Sequence, residues 1–213
     1  MKFEQLLEIV GDEAIFESSL LFAGKADPAG IQVQLIRWTR SGKIYQLRRG
    51  LYTLSPPYQK IKPHPFAIAN HMSRASYVSC QSALAFYGLI PEYVLATTSV
   101  TTLRPGRWET PLGIFEFHHL KPGLLRGYRM TDLSNSQMAF VATPEKALLD
   151  LIYLQARSDS AAYLGELRLQ NLESLDLDKL RNYAEVFNSP KLQRAVKTIA
   201  SLAEAETMEF ETL

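Results

Sequence analysis

Cysteine is nearly missing from this 213-residue sequence: Cys80 stands alone, so no disulfide within the chain can staple the fold. Long hydrophobic runs are missing as well. The longest apolar stretch, Ala147 to Leu154, is broken by Asp150 and falls far short of the roughly 20 residues that cross a bilayer, so no membrane partner is expected. Glu4 and Gln5 interrupt any signal-type apolar core near the start, which predicts a cytoplasmic protein. No HExxH, CxxC, Walker or GxGxxG pattern occurs, which removes the usual zinc, redox, nucleotide and dinucleotide assignments; neither metal nor cofactor is expected. Internal repeats and low-complexity runs are absent too. With 46% hydrophobic and 21% charged residues the chain has the proportions of a globular protein, long enough to bury a sizeable core as one large domain or two smaller ones.

The net charge of +1 hides an uneven distribution. Between Lys25 and Lys62 eight basic residues (Lys25, Arg37, Arg40, Lys43, Arg48, Arg49, Lys60, Lys62) face one acid, Asp27, for a local charge of +7. The rest of the chain sums to −6, with ten acids against seven bases from Leu151 onward. Such asymmetry points to a local anionic partner.

Phe3, Leu6, Leu7 and Val10 share one helical face, and Gly11-Asp12 stops that helix. A second short helix is expected over Glu17 to Ala23, with Leu20 and Ala23 inward and Gly24 ending it. For the third, Asp27 is a good N-cap, Pro28 suits the first helical position and Gly42 lies past the end, which predicts a helix from Pro28 to about Ser41. The pattern then turns extended, and Ile44 to Leu47 and Leu51 to Leu54 flank Arg48-Arg49-Gly50 as a two-stranded ribbon. Three helices followed by a hairpin is the element order of a winged helix-turn-helix, placed at residues 1–57. Pro56-Pro57 and Pro63-His64-Pro65 then mark a linker.

A mixed α/β domain is expected over residues 64–155. Pro65 opens a helix through Met72, and Ser79 caps another through Tyr87 that Gly88 closes. Strands are expected over Ala96 to Thr102, Ile114 to His119 and Met138 to Ala142, with a turn at Arg104-Pro105-Gly106. Thr143 caps a strongly apolar helix reaching about Gln155, with Glu145 in its first turn. Residues 156–213 read as a helical region packed on the second domain: Leu177, Leu180, Tyr183, Ala184 and Phe187 form one stripe ending at Asn188, and Ser189-Pro190 starts a last helix. The fold class is therefore α+β.

Helix Pro28 to Ser41 divides sharply. Ile31, Leu35 and Trp38 fall on a core face, with Val33, Arg37 and Arg40 opposite them and Gln32 and Gln34 flanking. An apolar face that docks the helix and an opposite face of guanidinium and amide side chains suit a recognition helix in a major groove. Lys43, Arg48 and Arg49 would sit at the helix exit and ribbon tip, where phosphate contacts position a module without reading bases. The bland alternative is that Arg37 and Arg40 solvate an amphipathic helix while Arg48-Arg49 protects a hairpin edge. His118 and His119 are adjacent on a strand, point to opposite faces and do not easily chelate one ion. Pro144-Glu145-Lys146 resembles a fragment of a nuclease carboxylate-lysine site; its bland account is a helix start plus a Lys146 to Asp150 pair worth a few tenths of a kcal/mol. Cys80 is either slightly activated beside its helix cap or simply packed.

Three stretches together resemble the AbiEi-type antitoxins and transcriptional regulators of abortive-infection, type IV toxin-antitoxin systems. Gln46-Leu47-Arg48-Arg49-Gly50-Leu51-Tyr52 is similar to that family's wing. Ser76-Tyr77-Val78-Ser79-Cys80-Gln81-Ser82-Ala83-Leu84 with Tyr87-Gly88-Leu89 is similar to its second block, and Thr143 to Asp150 to its third. The resemblance implies a non-enzymatic repressor whose winged helix binds double-stranded DNA at inverted repeats in its own promoter. It further implies a functional link to a nucleotidyltransferase toxin that requires no direct complex. Two other classes stay open: a nucleic-acid-processing enzyme with the winged helix as targeting arm, and a protein-interaction module.

Overall fold

A computed structural model of the chain describes residues 1–22, 27–92 and 94–211. Ala23, Gly24 and Lys25 lie outside these residues, so the expected end of the second helix is not described. The first helix, α1 (Phe3–Val10), buries Phe3, Leu6 and Val10, and Gly11 ends it at φ 58°. The helix expected over Glu17 to Ala23 is instead a short strand, β1 (Phe16–Glu17), followed by a 3-10 turn over Ser18–Phe22. Leu21, not Leu20, is the buried residue of that turn. The cause is long-range: Phe16 and Glu17 pair antiparallel with Tyr52 and Leu51, and a strand partner overrides local propensity. Helix α2 (Pro28–Arg40) follows, then the hairpin β2 (Ile44–Arg48) and β3 (Leu51–Leu54), giving a three-stranded sheet of order β1-β3-β2.

The hairpin serves two cores. Ile44, Tyr52 and Leu54 join Phe3, Leu6, Val10, Phe16, Leu21, Ile31, Leu35 and Trp38 in an amino-terminal cluster. Leu47 and Leu51, with Ile15, belong to the larger core of the following region. A bulge between Gln46 and Arg48 lets one ribbon turn side chains to both. The proline-rich segment after Leu54 is held as well: Gln137 donates from Nε2 to the Lys62 carbonyl at 3.0 Å and accepts from His64 N at 2.8 Å. Exposed ion pairs Lys60–Asp12 and Arg74–Glu17 cross the same seam at 2.8 and 2.7 Å. Such pairs add little energy compared with the shared apolar surface.

The larger region contains α3 (Pro65–Met72), β4 (Ser76–Val78), α4 (Cys80–Phe86), β5 (Ala96–Thr101), β6 (Gly106–Thr110), β7 (Gly113–His119), β8 (Tyr128–Asp132), β9 (Met138–Ala142) and α5 (Pro144–Leu154). Its strands form one mixed sheet of order β6-β7-β5-β4-β9-β8, which makes the chain α+β. The turn at Arg104-Pro105-Gly106 does not join β5 to β7 as a hairpin. It feeds β6, an edge strand absent from the sequence-based expectation, and β5 and β7 then run parallel from Ala96↔Ile114 to Thr101↔His119. Helices α4 and α5 pack together, and α6 (Ala161–Glu166), α7 (Leu177–Phe187) and α8 (Pro190–Glu211) complete the carboxyl-terminal layer. Asn188 ends α7 in the left-handed conformation, and Pro190 opens α8 as its sequence predicts. No helix among the described residues is long and apolar enough to cross a membrane.

Candidate nucleic-acid interface

Helix α2 begins at a double cap. The Asp27 carboxylate accepts from Ala29 N and from Gly30 N, each at 3.0 Å, while Pro28 needs no hydrogen-bond partner for its nitrogen. Gly30 makes room for that carboxylate, since a Cβ there would stand 2.6 Å from Asp27 Oδ2. Ile31, Leu35 and Trp38 fix the inner face, where the Trp38 ring meets Phe3 edge-on at 5.5 Å. At the far end Gly42, at φ 69°, turns the chain into β2 while Lys43 N donates to the Trp38 carbonyl at 2.9 Å. Both ends and the back of this helix are therefore held, and its outer face is presented rigidly.

That outer face carries Val33 and Ile36, 46% and 44% exposed, with Arg37 and Arg40 exposed beside them. Neither arginine forms an ion pair with any described residue, and α2 contains no acid. Both lie in the last turn, where the helix dipole favours cations. Arg49 is exposed at the hairpin tip. Ile36 was not singled out from the sequence; its spacing three residues after Val33 is the signal that places it on the same face.

Two other candidate residues, Arg48 and Lys43, are occupied within the protein. Arg48 does not extend freely from the ribbon tip: it leans on α3, where Nη2 donates to the His71 carbonyl at 3.3 Å and Nε is buried without a partner. Gln32 is exposed on α2, and the Tyr52 hydroxyl behind it accepts from Gln46 Nε2 at 3.4 Å, with burial pushing the Tyr52 pKa up from its ordinary value. Lys43 lies half-buried with Nζ 4.6 Å above the Phe3 ring. Gln34 is partly exposed. The outer face of α2 and the ribbon tip thus retain Gln32, Gln34, Arg37, Arg40 and Arg49 as the polar groups best placed to meet another molecule.

The second chemical cluster lies far inside. Ser79 stands at the N-cap position of α4 as expected, but its side chain makes no cap hydrogen bond; its hydroxyl donates to Asp150 Oδ2 at 2.7 Å, beside the Tyr77 hydroxyl at 3.0 Å. Lys146 pairs with Asp150 Oδ1, and neither side chain has any exposure. The ammonium also lies 4.6 Å over the Phe187 ring. Burial pushes Lys146 down and Asp150 up from their ordinary values, and mutual attraction opposes both shifts. Glu145 is buried too, with Oε1 accepting from Asp176 N at 3.3 Å and Oε2 3.2 Å from Lys179 Nζ. Glu145, Lys146 and Asp150 thus lock α5 to its neighbours, and the Lys146 and Asp150 side chains have no exposed surface. The i,i+4 pair that the spacing predicts is present, but its expected weight of a few tenths of a kcal/mol is corrected, because the pair is buried and has two further donors.

Cys80, at φ 53° just after Ser79, is buried, and desolvation together with the Asp150 charge pushes its thiol up. Of the two possibilities the sequence left, packing is the one that fits. Dithionitrobenzoate should therefore leave the native thiol unmodified at pH about 8 and modify it after unfolding in guanidinium; rapid full modification of the native chain would contradict the assignment. His118 and His119 are exposed on β7, and among the described residues no group of three or more His, Cys, Asp or Glu side chains could hold a metal ion. Set against models of known protein families and against curated proteins, the chain matches none.

Proposed function

We propose that the chain is a sequence-specific, non-enzymatic DNA-binding repressor of its own operon, working in the cytoplasm and acting as the antitoxin to a nucleotidyltransferase-like toxin without a direct complex. In this assignment residues 1–57 are a winged helix-turn-helix, α2 is the recognition helix and β2–β3 the wing. One observation carries the proposal: a helix capped and packed on one face presents Arg37 and Arg40, without an ion pair among the described residues, on the other. Base edges in a major groove offer guanidinium groups guanine acceptors, and the exposed Val33 and Ile36 suit thymine methyl groups. Arg49 supplies a phosphate contact from the wing.

The rest of the site adapts to that role. Arg48 ties the wing to α3 and positions Arg49. Gln32 and Gln34 remain available for adenine, and Lys43 for phosphate if it leaves the Phe3 ring. The link to a toxin rests on the family resemblance of the three sequence blocks alone.

Gel shifts on duplex DNA from upstream of the protein's own gene test this reading. The wild-type chain should retard that duplex in preference to a scrambled one. Arg40→Ala should cost about 1–3 kcal/mol and relax sequence preference, whereas Arg49→Ala should weaken all duplexes about equally. Equal effects of the two substitutions would remove the proposed division between groove and backbone.

A further inference from the structure

The six-stranded sheet ends in β6 on one side and β8 on the other, and the two edges differ. Along β6, Arg107 pairs with Glu109 and Glu116, and β2 of the hairpin lies against the strand. No described element other than β9 packs along β8. Tyr128, Arg129, Met130 and Asp132 are exposed there, and Thr131 is half-buried.

The register shows which backbone groups of β8 are left over. Thr143 N donates to the Gly127 carbonyl and Leu133 N to the Gln137 carbonyl, so the odd-numbered residues carry the ladder to β9. Phe140, opposite Met130, turns its N–H away from β8 to Asn70 Oδ1, as that alternation requires. Tyr128, Met130 and Asp132 therefore point both N–H and C=O outward, and none of these groups has a hydrogen-bond partner among the described residues. Natural edges are commonly blunted by proline, lysine or a bulge. β8 has none of these: it reads Tyr-Arg-Met-Thr-Asp and pairs with β9 in unbroken register.

A row of alternating donors and acceptors is matched by another extended strand, and a second copy of β8 supplies one whose alignment symmetry sets. Antiparallel pairing about a two-fold axis places one residue opposite itself. Centring on Met130 joins Met130 to Met130 and Tyr128 to Asp132 at each end, which uses every outward group in about six hydrogen bonds. Centring on Arg129 or Thr131 sets Asp132 or Tyr128 against a residue beyond the strand, and the Arg129 alignment also opposes two guanidinium groups. In the Met130 alignment Arg129 faces Thr131, and no like charges meet. One row across the joined sheets then reads Phe140, Met130, Met130, Phe140 on a single face, where Met130 is 50% and Phe140 36% exposed in one chain. A net charge of +1 sets little repulsion between copies.

We propose that the chain forms a two-fold dimer by antiparallel pairing of β8 with β8 of a second copy, centred on Met130, which joins the two six-stranded sheets into one. Such a dimer carries two copies of α2, so a duplex it prefers holds two half-sites. That consequence rests on the DNA-binding proposal; the dimer itself does not.

Sedimentation of the full chain over about 1–500 µM tests the pairing, and the mass should rise from that of one chain toward that of two. Met130→Pro removes an outward N–H and no bond to β9, so it should weaken the dimer by at least about tenfold with an unchanged circular dichroism spectrum. Met130→Lys opposes two ammonium groups and should act in the same direction while leaving the backbone intact. Met130→Cys should form a disulfide between copies on oxidation, since directly opposed residues stand about 5.5 Å apart between Cα atoms, and native Cys80 is buried. Asp132→Cys should not, because its two copies stand offset along the strands by about 13 Å. A monomer at every concentration, a dimer indifferent to Met130→Pro and Met130→Lys, or cross-linking at Asp132→Cys in preference to Met130→Cys would overturn the assignment. A monomeric Met130→Pro chain that retards the upstream duplex as tightly as wild type overturns the half-site consequence alone, and a dimer that retards no duplex overturns the DNA-binding proposal alone.

Discussion

Lys146→Met should lower stability to unfolding by about 3–5 kcal/mol, because it leaves the Asp150 carboxylate charged, buried and without its cation. The ammonium and carboxylate have no exposure at all, so water cannot compensate. The hydroxyls of Tyr77 and Ser79 still donate to Asp150 Oδ2, but two neutral donors do not offset a full charge in an apolar interior. Asp150→Leu should cost a similar amount for the converse reason: it strands the ammonium between Tyr77 and Phe187 and leaves both hydroxyls unpaired. The double substitution Lys146→Met with Asp150→Leu should be less damaging than the sum of the two, since it removes both charges together. Urea unfolding followed by circular dichroism measures this, and at about 2–3 kcal/mol per molar of urea each single variant should unfold roughly 1–2 M earlier. Single variants that both stay within about 0.5 kcal/mol of wild type would contradict a buried, coupled pair.

The second large effect concerns the outer face of α2. Substituting Arg37 and Arg40 together by alanine should reduce affinity for the cognate duplex by about 2–6 kcal/mol, taking about 1–3 kcal/mol for each guanidinium lost from a base or phosphate. Folding should be little affected, because both side chains are exposed and neither makes an ion pair with described residues. The contrast with Leu35→Ala is informative. Leu35 is fully buried on the opposite face, so its truncation should cost about 2–5 kcal/mol of stability. Loss of binding with retained fold separates a presented surface from a structural one.

Much of α2 was legible in the sequence because its determinants are local. An aspartate cap, a proline at the first position, a closing glycine and an inner face of Ile31, Leu35 and Trp38 lie within a few turns of each other. Elements defined by distant partners were not legible. Glu17 sits in a strand because of Leu51, a relation that no local window contains. The edge strands β6 and β8 escaped for another reason: with both faces largely open, Gly106–Thr110 and Tyr128–Asp132 have no buried side and so no alternation to detect. β4 is only three residues long and wholly buried, which also erases the period.

At the candidate sites the boundary between legible and hidden was the same. The i,i+4 spacing of Lys146 and Asp150 was visible, but its depth was not, since it depends on Phe187 of α7 and on Tyr77 of β4 closing over it. The hydroxyl of Ser79 matched a helix cap by position, yet a buried carboxylate is the stronger acceptor and draws it away. Arg48 and Arg49 looked alike as neighbours at a ribbon tip. The bulge in β2 turns the first toward α3 and leaves the second outward, which is a property of register and not of residue type.

Arg37, Arg40 and Arg49 are the cations assigned to contact with DNA, joined by Lys43 once it leaves the Phe3 ring, and the salt dependence of duplex affinity tests that assignment most directly. If each of these cations displaces counterions as it enters the field of the duplex, over base edges or phosphates alike, log affinity should fall against log salt with a slope of about −3 to −4 per protomer. The same titration on the Arg37→Ala, Arg40→Ala double variant should give a slope shallower by about 2. A wild-type affinity indifferent to salt, or a slope that the double substitution leaves unchanged, would contradict the claim that this helix face meets the duplex.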